Sequence, residues 1–249
     1  MTERSMAANS TTPPPSRRGW NRTSGPTLEA RIGLIALGLY GALLGVAHGA
    51  GVGVEQAVAD PQETTGLRLL GIVSTVGVLF WAGMVTVCVL AASIPTDRAD
   101  PLRRFFRASA AVTTMLLLDD LLLVHEFADD MVGYFVDFDH TRGQKDLLEL
   151  FVFAGYGVIV GLYLIRHRKT IATTRHLPLR LAAIGLATSL VIDMGFLDSA
   201  ASTVALEVSS RTETIVEEGA KLVGISYLGL YFFDAARSTI GNPRRSPPS

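Results

Sequence analysis

The stretch LLLDDLLLVHEF, Leu116–Phe127, decides how many times this chain crosses a membrane. Six leucines, a valine and a phenylalanine make it apolar enough for a bilayer, yet Asp119, Asp120, His125 and Glu126 interrupt it. An ionisable side chain at the centre of a spanning helix is penalised by about 2.5–3.5 kcal/mol on insertion scales, so hydropathy alone leaves the segment doubtful.

Outward from this stretch, apolar blocks recur near 32–54, 67–93, 146–166, 179–200 and 213–235, and the stretch itself falls in a block near 105–128. Each is long enough for a hydrocarbon core, which takes roughly 20 residues at ~1.5 Å per helical residue. The last block holds Glu217, Glu218 and Lys221 and is as doubtful as the third. Charge placement resolves both. Of the 22 Lys and Arg residues, 17 lie in the N-terminal segment, around Arg98–Arg107, around Arg166–Arg180 and in the C-terminal segment. Arg68, Arg142, Lys145 and Arg211 lie in the alternate connections. Because basic residues concentrate on the cytoplasmic side, this alternation implies six spans with both termini cytoplasmic, and deleting either doubtful span puts later basic loops on the wrong side.

The expectation is an all-α polytopic protein of the inner (plasma) membrane. Residues 1–30 read as a disordered cytoplasmic tail, 31–236 as a six-helix transmembrane domain and 237–249 as a second disordered tail. Composition agrees: 49% of the 249 residues are hydrophobic and mean hydropathy is +0.35. A net charge of −1 supplies no basic field for nucleic acid, which is excluded as a partner. Cys88 is the only cysteine, so no intrachain disulfide and no CxxC metal knuckle is available.

Orientation collects the scattered charges. Counting along each helix from its predicted entry puts His48, Asp119, Asp120, His125, Glu126, Glu149, Asp193, Glu217, Glu218 and Lys221 in the extracytoplasmic half. Asp119 and Glu126 are seven apart and share a helical face, with Asp120 and His125 offset from it. Glu217 and Lys221 are four apart in the favourable order for a helical ion pair, which leaves Glu218 for another role. Tyr156 is seven from Glu149 and falls beneath it on the same face. Ser189 is one turn from Asp193. Gly41, Gly45 and Gly49 form a small-residue face that admits a neighbouring helix, with His48 beside it.

Ionisable groups inside a membrane are functional candidates, while the bland reading of each is snorkelling to water or pairing with another charge. The preferred function is a metal-dependent hydrolase acting on a lipid or peptide bond near the outer leaflet. Asp119, His125, Glu126, Glu218 and His48 would hold a divalent metal (Zn, Mn or Fe), Asp193 or Glu217 would handle protons, and Lys221 would tune Glu217 or stabilise developing negative charge. The stretch EEGAK, Glu217–Lys221, resembles the EExxK element of PrsW-type and CAAX-processing intramembrane proteases, whose paired glutamates are implicated in catalysis. The resemblance covers five residues, and the His-bearing motifs that follow the element in that family precede it here as His48 and His125. Alkaline ceramidase-like hydrolases use a histidine-rich zinc site, and this chain lacks their C-terminal HxxxH. Two alternatives stand beside hydrolysis: a proton- or cation-coupled transporter, and a non-catalytic membrane subunit whose charges pair with one another or with another protein.

Overall fold

A computed structural model describes residues 26–53, 57, 71–94, 101–122, 124, 142–194 and 210–240. Six helices account for nearly all of them, and no strand occurs among the described residues. They are α1 (Pro26–Gly49), α2 (Ile72–Ser93), α3 (Pro101–Leu122), α4 (Arg142–Ile171), α5 (His176–Asp193) and α6 (Ser210–Ile240). The tails 1–25 and 241–249 lie outside the described residues.

Local chemistry sets the helix ends. Pro26 and Pro101 open α1 and α3, where a missing N–H and a preset φ cost nothing. Helix α1 therefore starts a turn before the predicted span, and it also stops five residues early. At its end Val52 N–H donates to Ala47 O (2.9 Å) and Gly51 N–H to His48 O (3.0 Å), with Gly51 at φ 78°. This double closure needs a left-handed residue, and glycine supplies it. Gly71, at φ 65°, does the same before α2. The turn from α4 to α5 is tied by Thr173 and Thr174, whose hydroxyls donate to Thr170 O and Ile171 O at 2.7 Å each.

Four helices are long and apolar enough to cross a membrane: the segments Leu28–Gly49, Ile72–Ser93, Leu150–Ile171 and His176–Asp193. Large apolar side chains such as Leu34, Ile35, Leu79, Phe151, Leu162 and Ile165 are exposed, as expected of surfaces covered by lipid. Helices α3 and α6 carry the charges, and their position explains how they do so.

Helix α6 is the hub. It packs most extensively on α5, then on α2 and α1, while α2 also packs along α3 and α4 touches α3 only lightly. Gly185 of α5 and Gly224 of α6 mark the closest approach: a Cβ at Gly185 would come within 2.8 Å of Gly224 Cα, and one at Gly224 within 2.8 Å of Leu186 N. Gly41, Gly45 and Gly49 behave otherwise. A Cβ at any of them meets nothing within 4 Å, so the small-residue face expected on α1 is not used for packing, and the close helix contact falls to α5 and α6.

The main apolar core lies between α2, α3 and α6 and includes Trp81, Met84, Cys88, Phe105, Phe106 and Ile225. Around Phe105 stand Phe106, Tyr163, His167, Tyr231 and Phe232, with ring centroids 5.2–6.4 Å away. This aromatic cluster occupies the end of the bundle at which α6 terminates.

Candidate functional site

At the other end, where α3 finishes and α6 begins, Asp119 and Asp120 are both buried, at 8% and 7% exposure. Adjacent helical residues point about 100° apart, and the two aspartates accordingly serve different neighbours. Asp119 turns to α4 and accepts a hydrogen bond from the Tyr156 hydroxyl at 2.8 Å. Asp120 turns to α6 and forms an ion pair with Lys221. Gly77 of α2 faces it, and a Cβ there would stand in ordinary contact, 3.7 Å from Asp120 Oδ2.

The Lys221 ammonium also lies 3.6 Å from Glu218 Oε1, one turn back on α6, so a single cation bridges carboxylates of two helices. Tyr40 of α1 steadies this part of α6: its hydroxyl donates to Ile215 O at 2.6 Å, and a Cβ at Gly219 would come 3.2 Å from its ring. Sequence spacing had matched Lys221 to Glu217 and Tyr156 to Glu149. The contacts of Lys221 to Asp120 and of Tyr156 to Asp119 arise across helices, where spacing along one helix is silent, and within α6 the lysine turns to Glu218 at i,i+3.

These groups open into a cavity of about 440 Å³ bounded by α3, α4, α5 and α6, with Trp81 from α2. Asp119, Asp120, Asp193, Glu217, Glu218 and Lys221 line its polar end. Glu217 is half-buried, Asp193 is exposed at the end of α5, and Ser189 is buried one turn below it. Beyond the charges the wall is largely apolar and runs down to Ile171, Leu179 and Tyr231. Hydroxyls do occur there but have partners: Ser109 meets Tyr163 at 2.7 Å, and Thr113 donates to Ser109 O at 2.8 Å.

The cavity thus collects six of the sequence-predicted residues and leaves out others. His48 is exposed in the last turn of α1 and does not line it; a histidine there faces the negative end of the helix dipole. Helix α3 is described from Pro101 to Leu122, and the face expected to be shared by Asp119 and Glu126 runs outside the described residues. His125 and Glu126 lie outside the described residues, and nothing is described of the Glu149 side chain.

A metal centre requires converging ligands. Among the described residues no group of three or more His, Cys, Asp or Glu side chains is placed to hold a metal ion. Lys221 brings its positive charge between Asp120 and Glu218. Of the expected ligand set, His125 and Glu126 lie outside the described residues.

A second charged cluster, absent from the sequence reading, sits at the opposite end. Arg175, in the α4–α5 turn, pairs with Glu29 of α1 and lies 3.6 Å from Asp234 of α6. Glu29 is 2% exposed, and its backbone carbonyl accepts from the Tyr227 hydroxyl at 2.9 Å. Next to Arg175, Thr174 meets the Tyr231 hydroxyl at 3.0 Å. The sequence carried one cue to Glu29, the Pro26 that starts a helix and leaves an acid in its first turn.

No curated protein and no solved structure matches this chain. The model for a domain of unknown function, DUF8692, matches residues 32–235, which takes in every helix and the whole cavity wall, and the chain belongs to that family.

Proposed function

We propose that this protein crosses the membrane six times, with both termini cytoplasmic, and that its cavity is the site of an intramembrane hydrolase acting on a lipid or peptide bond at the extracytoplasmic side. The observation that carries this reading is the joining, in one cavity, of five carboxyl groups and a lysine with an apolar chamber of substrate size. The alternation of basic connections supports the orientation.

The chemistry follows from the groups at hand. Hydrolysis needs a base to take a proton from water as its oxygen bonds to the substrate centre, an acid to return a proton to the departing oxygen or nitrogen, and a positive group beside the charge that develops. Glu217 and Asp193, at the accessible end, are the residues for proton transfer. Lys221, held by Asp120 and Glu218, is the fixed cation. Tyr156 orients Asp119.

The test is turnover by purified protein in mixed micelles, with a phospholipid panel and a transmembrane peptide as substrates and products read by mass spectrometry. Wild type should release a product that Asp119→Asn and Glu217→Gln reduce at least tenfold; turnover insensitive to both would sink the reading. Metal content is measured on the same samples, and a stoichiometric metal would restore His125 and Glu126 as ligands.

Proton- or cation-coupled transport is the second reading. It is favoured by the Glu29–Arg175–Asp234 cluster, which lies beyond the cavity floor, and by the hydrogen-bonded hydroxyls between the two charged ends. PH-gradient-driven flux in liposomes, abolished by Asp120→Asn, would replace hydrolysis with transport.

A further inference from the structure

The cavity has a side opening. Of the residues that line it, Gly157 and Leu164 on α4 and Ala183 and Ala187 on α5 are also exposed at the surface of the bundle. They lie on the two consecutive helices that flank one side of the cavity. Helices α4 and α5 are consecutive, yet their packing is sparse compared with that of α5 on α6. Three of the four residues are glycine or alanine, so little side chain stands in the gap.

Depth gives the gap its meaning. Gly157 is seven residues from the start of the apolar segment Leu150–Ile171 and Leu164 seven from its end, about 10 Å either way. Ala183 and Ala187 lie at similar distances from the ends of α5. In a membrane-spanning bundle the opening therefore meets hydrocarbon, at mid-depth, and not water.

We infer that the substrate is a bilayer lipid that slides one acyl chain into the cavity sideways between α4 and α5, with its headgroup beside Asp119, Asp193 and Lys221. The inference rests on the membrane-embedded site proposed above and names its substrate class. Three observations carry it. The axial order of the cavity, charged at one membrane-facing end and apolar below, is the head-to-tail order of a lipid in the outer leaflet, so the molecule enters without inverting. A hydrocarbon chain passing from bilayer to an apolar wall exchanges like for like, with no aqueous transfer step. A peptide strand would bring backbone N–H and C=O groups against that wall, where an unsatisfied group costs several kcal/mol, and the wall hydroxyls of Ser109 and Thr113 already have partners.

Photocrosslinking tests the route. The full chain is reconstituted in phosphatidylethanolamine and phosphatidylglycerol vesicles that carry a trace of phospholipid with a diazirine on one acyl chain, and labelled residues are mapped by mass spectrometry. Labelling is expected inside the cavity, at Val160, Leu186 and Leu228, as well as on the outer stripe of α4 at Phe151, Val158 and Ile165. Ala183→Trp with Ala187→Trp should lower interior labelling at least fivefold and spare the outer stripe. Val158→Trp, on the outer stripe, should leave the interior unchanged and controls for bulk alone. Should the double variant not assemble, as read by size-exclusion profile, Gly157→Leu on the facing helix replaces it.

Interior labelling that is absent from wild type, or indifferent to the portal variants, overturns the inference. Wild-type turnover separates this result from the fate of the hydrolase reading. Interior labelling that is lost in the portal variants, with no turnover by wild type on any substrate, would leave lipid entry standing and remove hydrolysis.

Discussion

Lys221 shows how a charge is kept in an apolar bundle. Its ammonium is partnered with Asp120 and lies near Glu218, and its side chain is 23% exposed while that of Asp120 is 5% exposed. Removing one member of a fully buried pair costs about 3–5 kcal/mol, and the partial exposure here lowers that to roughly 2–3 kcal/mol for Lys221→Met. Asp120→Asn in the same chain should recover part of the loss, because the carboxylate left behind is the source of the penalty. Thermal unfolding of the two single variants and the double variant in detergent measures the coupling, and strictly additive losses would mean that the pair is not an energetic unit.

At the scale of the helix, close approach separates glycines that look alike in sequence. A methyl group on Gly185 or Gly224 would press into backbone at 2.8 Å, and backbone cannot turn aside as a side chain can. Overpacking of this kind costs about 1–3 kcal/mol, so Gly185→Ala should lower the unfolding midpoint and loosen α5 from α6 in hydrogen exchange. Gly45→Ala meets open space and should leave stability unchanged or raise it by up to about 1 kcal/mol, because alanine is the better helix former. Equal gains for both would show that the higher helix propensity of alanine, not the α5–α6 contact, governs these positions.

Helix α6 makes a related point. Its charges place it outside the segments apolar enough to cross a membrane unaided, yet Leu222, Ile225, Tyr231 and Phe232 are among the most buried residues of the chain. A hydropathy scale prices transfer into lipid. A helix enclosed by α1, α2 and α5 meets little lipid, and its polar side chains find partners on neighbouring helices.

For the whole molecule, orientation is the property to measure. With Cys88 replaced by alanine, a single cysteine at Ala172 in the α4–α5 turn should react with a membrane-impermeant thiol reagent only in inside-out vesicles, and one at Gly51 only in right-side-out vesicles. The reverse pattern would invert the bundle and put the carboxyl cluster on the cytoplasmic side. The Glu29–Arg175–Asp234 cluster also belongs to this scale, because it ties the α4–α5 turn to both the first and the last helix.

Six helical blocks, their approximate limits and the set of polar residues they carry were legible in LLLDDLLLVHEF and its neighbours, because apolar run length and helical rise are one-dimensional properties. The limits slipped where chain ends are set by capping, as at Gly51, where a left-handed glycine stops α1 before its apolar run is spent. Partner choice was not legible. Spacing offered Glu217 to Lys221 and Glu149 to Tyr156, since the reach of a side chain along its own helix can be counted. Which carboxylate arrives from across the bundle depends on how α6 crosses α2, α3 and α5, and that depends on where Gly185 and Gly224 let two backbones meet. Only the tertiary structure decided that Asp119 and Asp120, adjacent in sequence, serve different partners, and that α4 and α5 stand far enough apart to leave a cavity with a side opening.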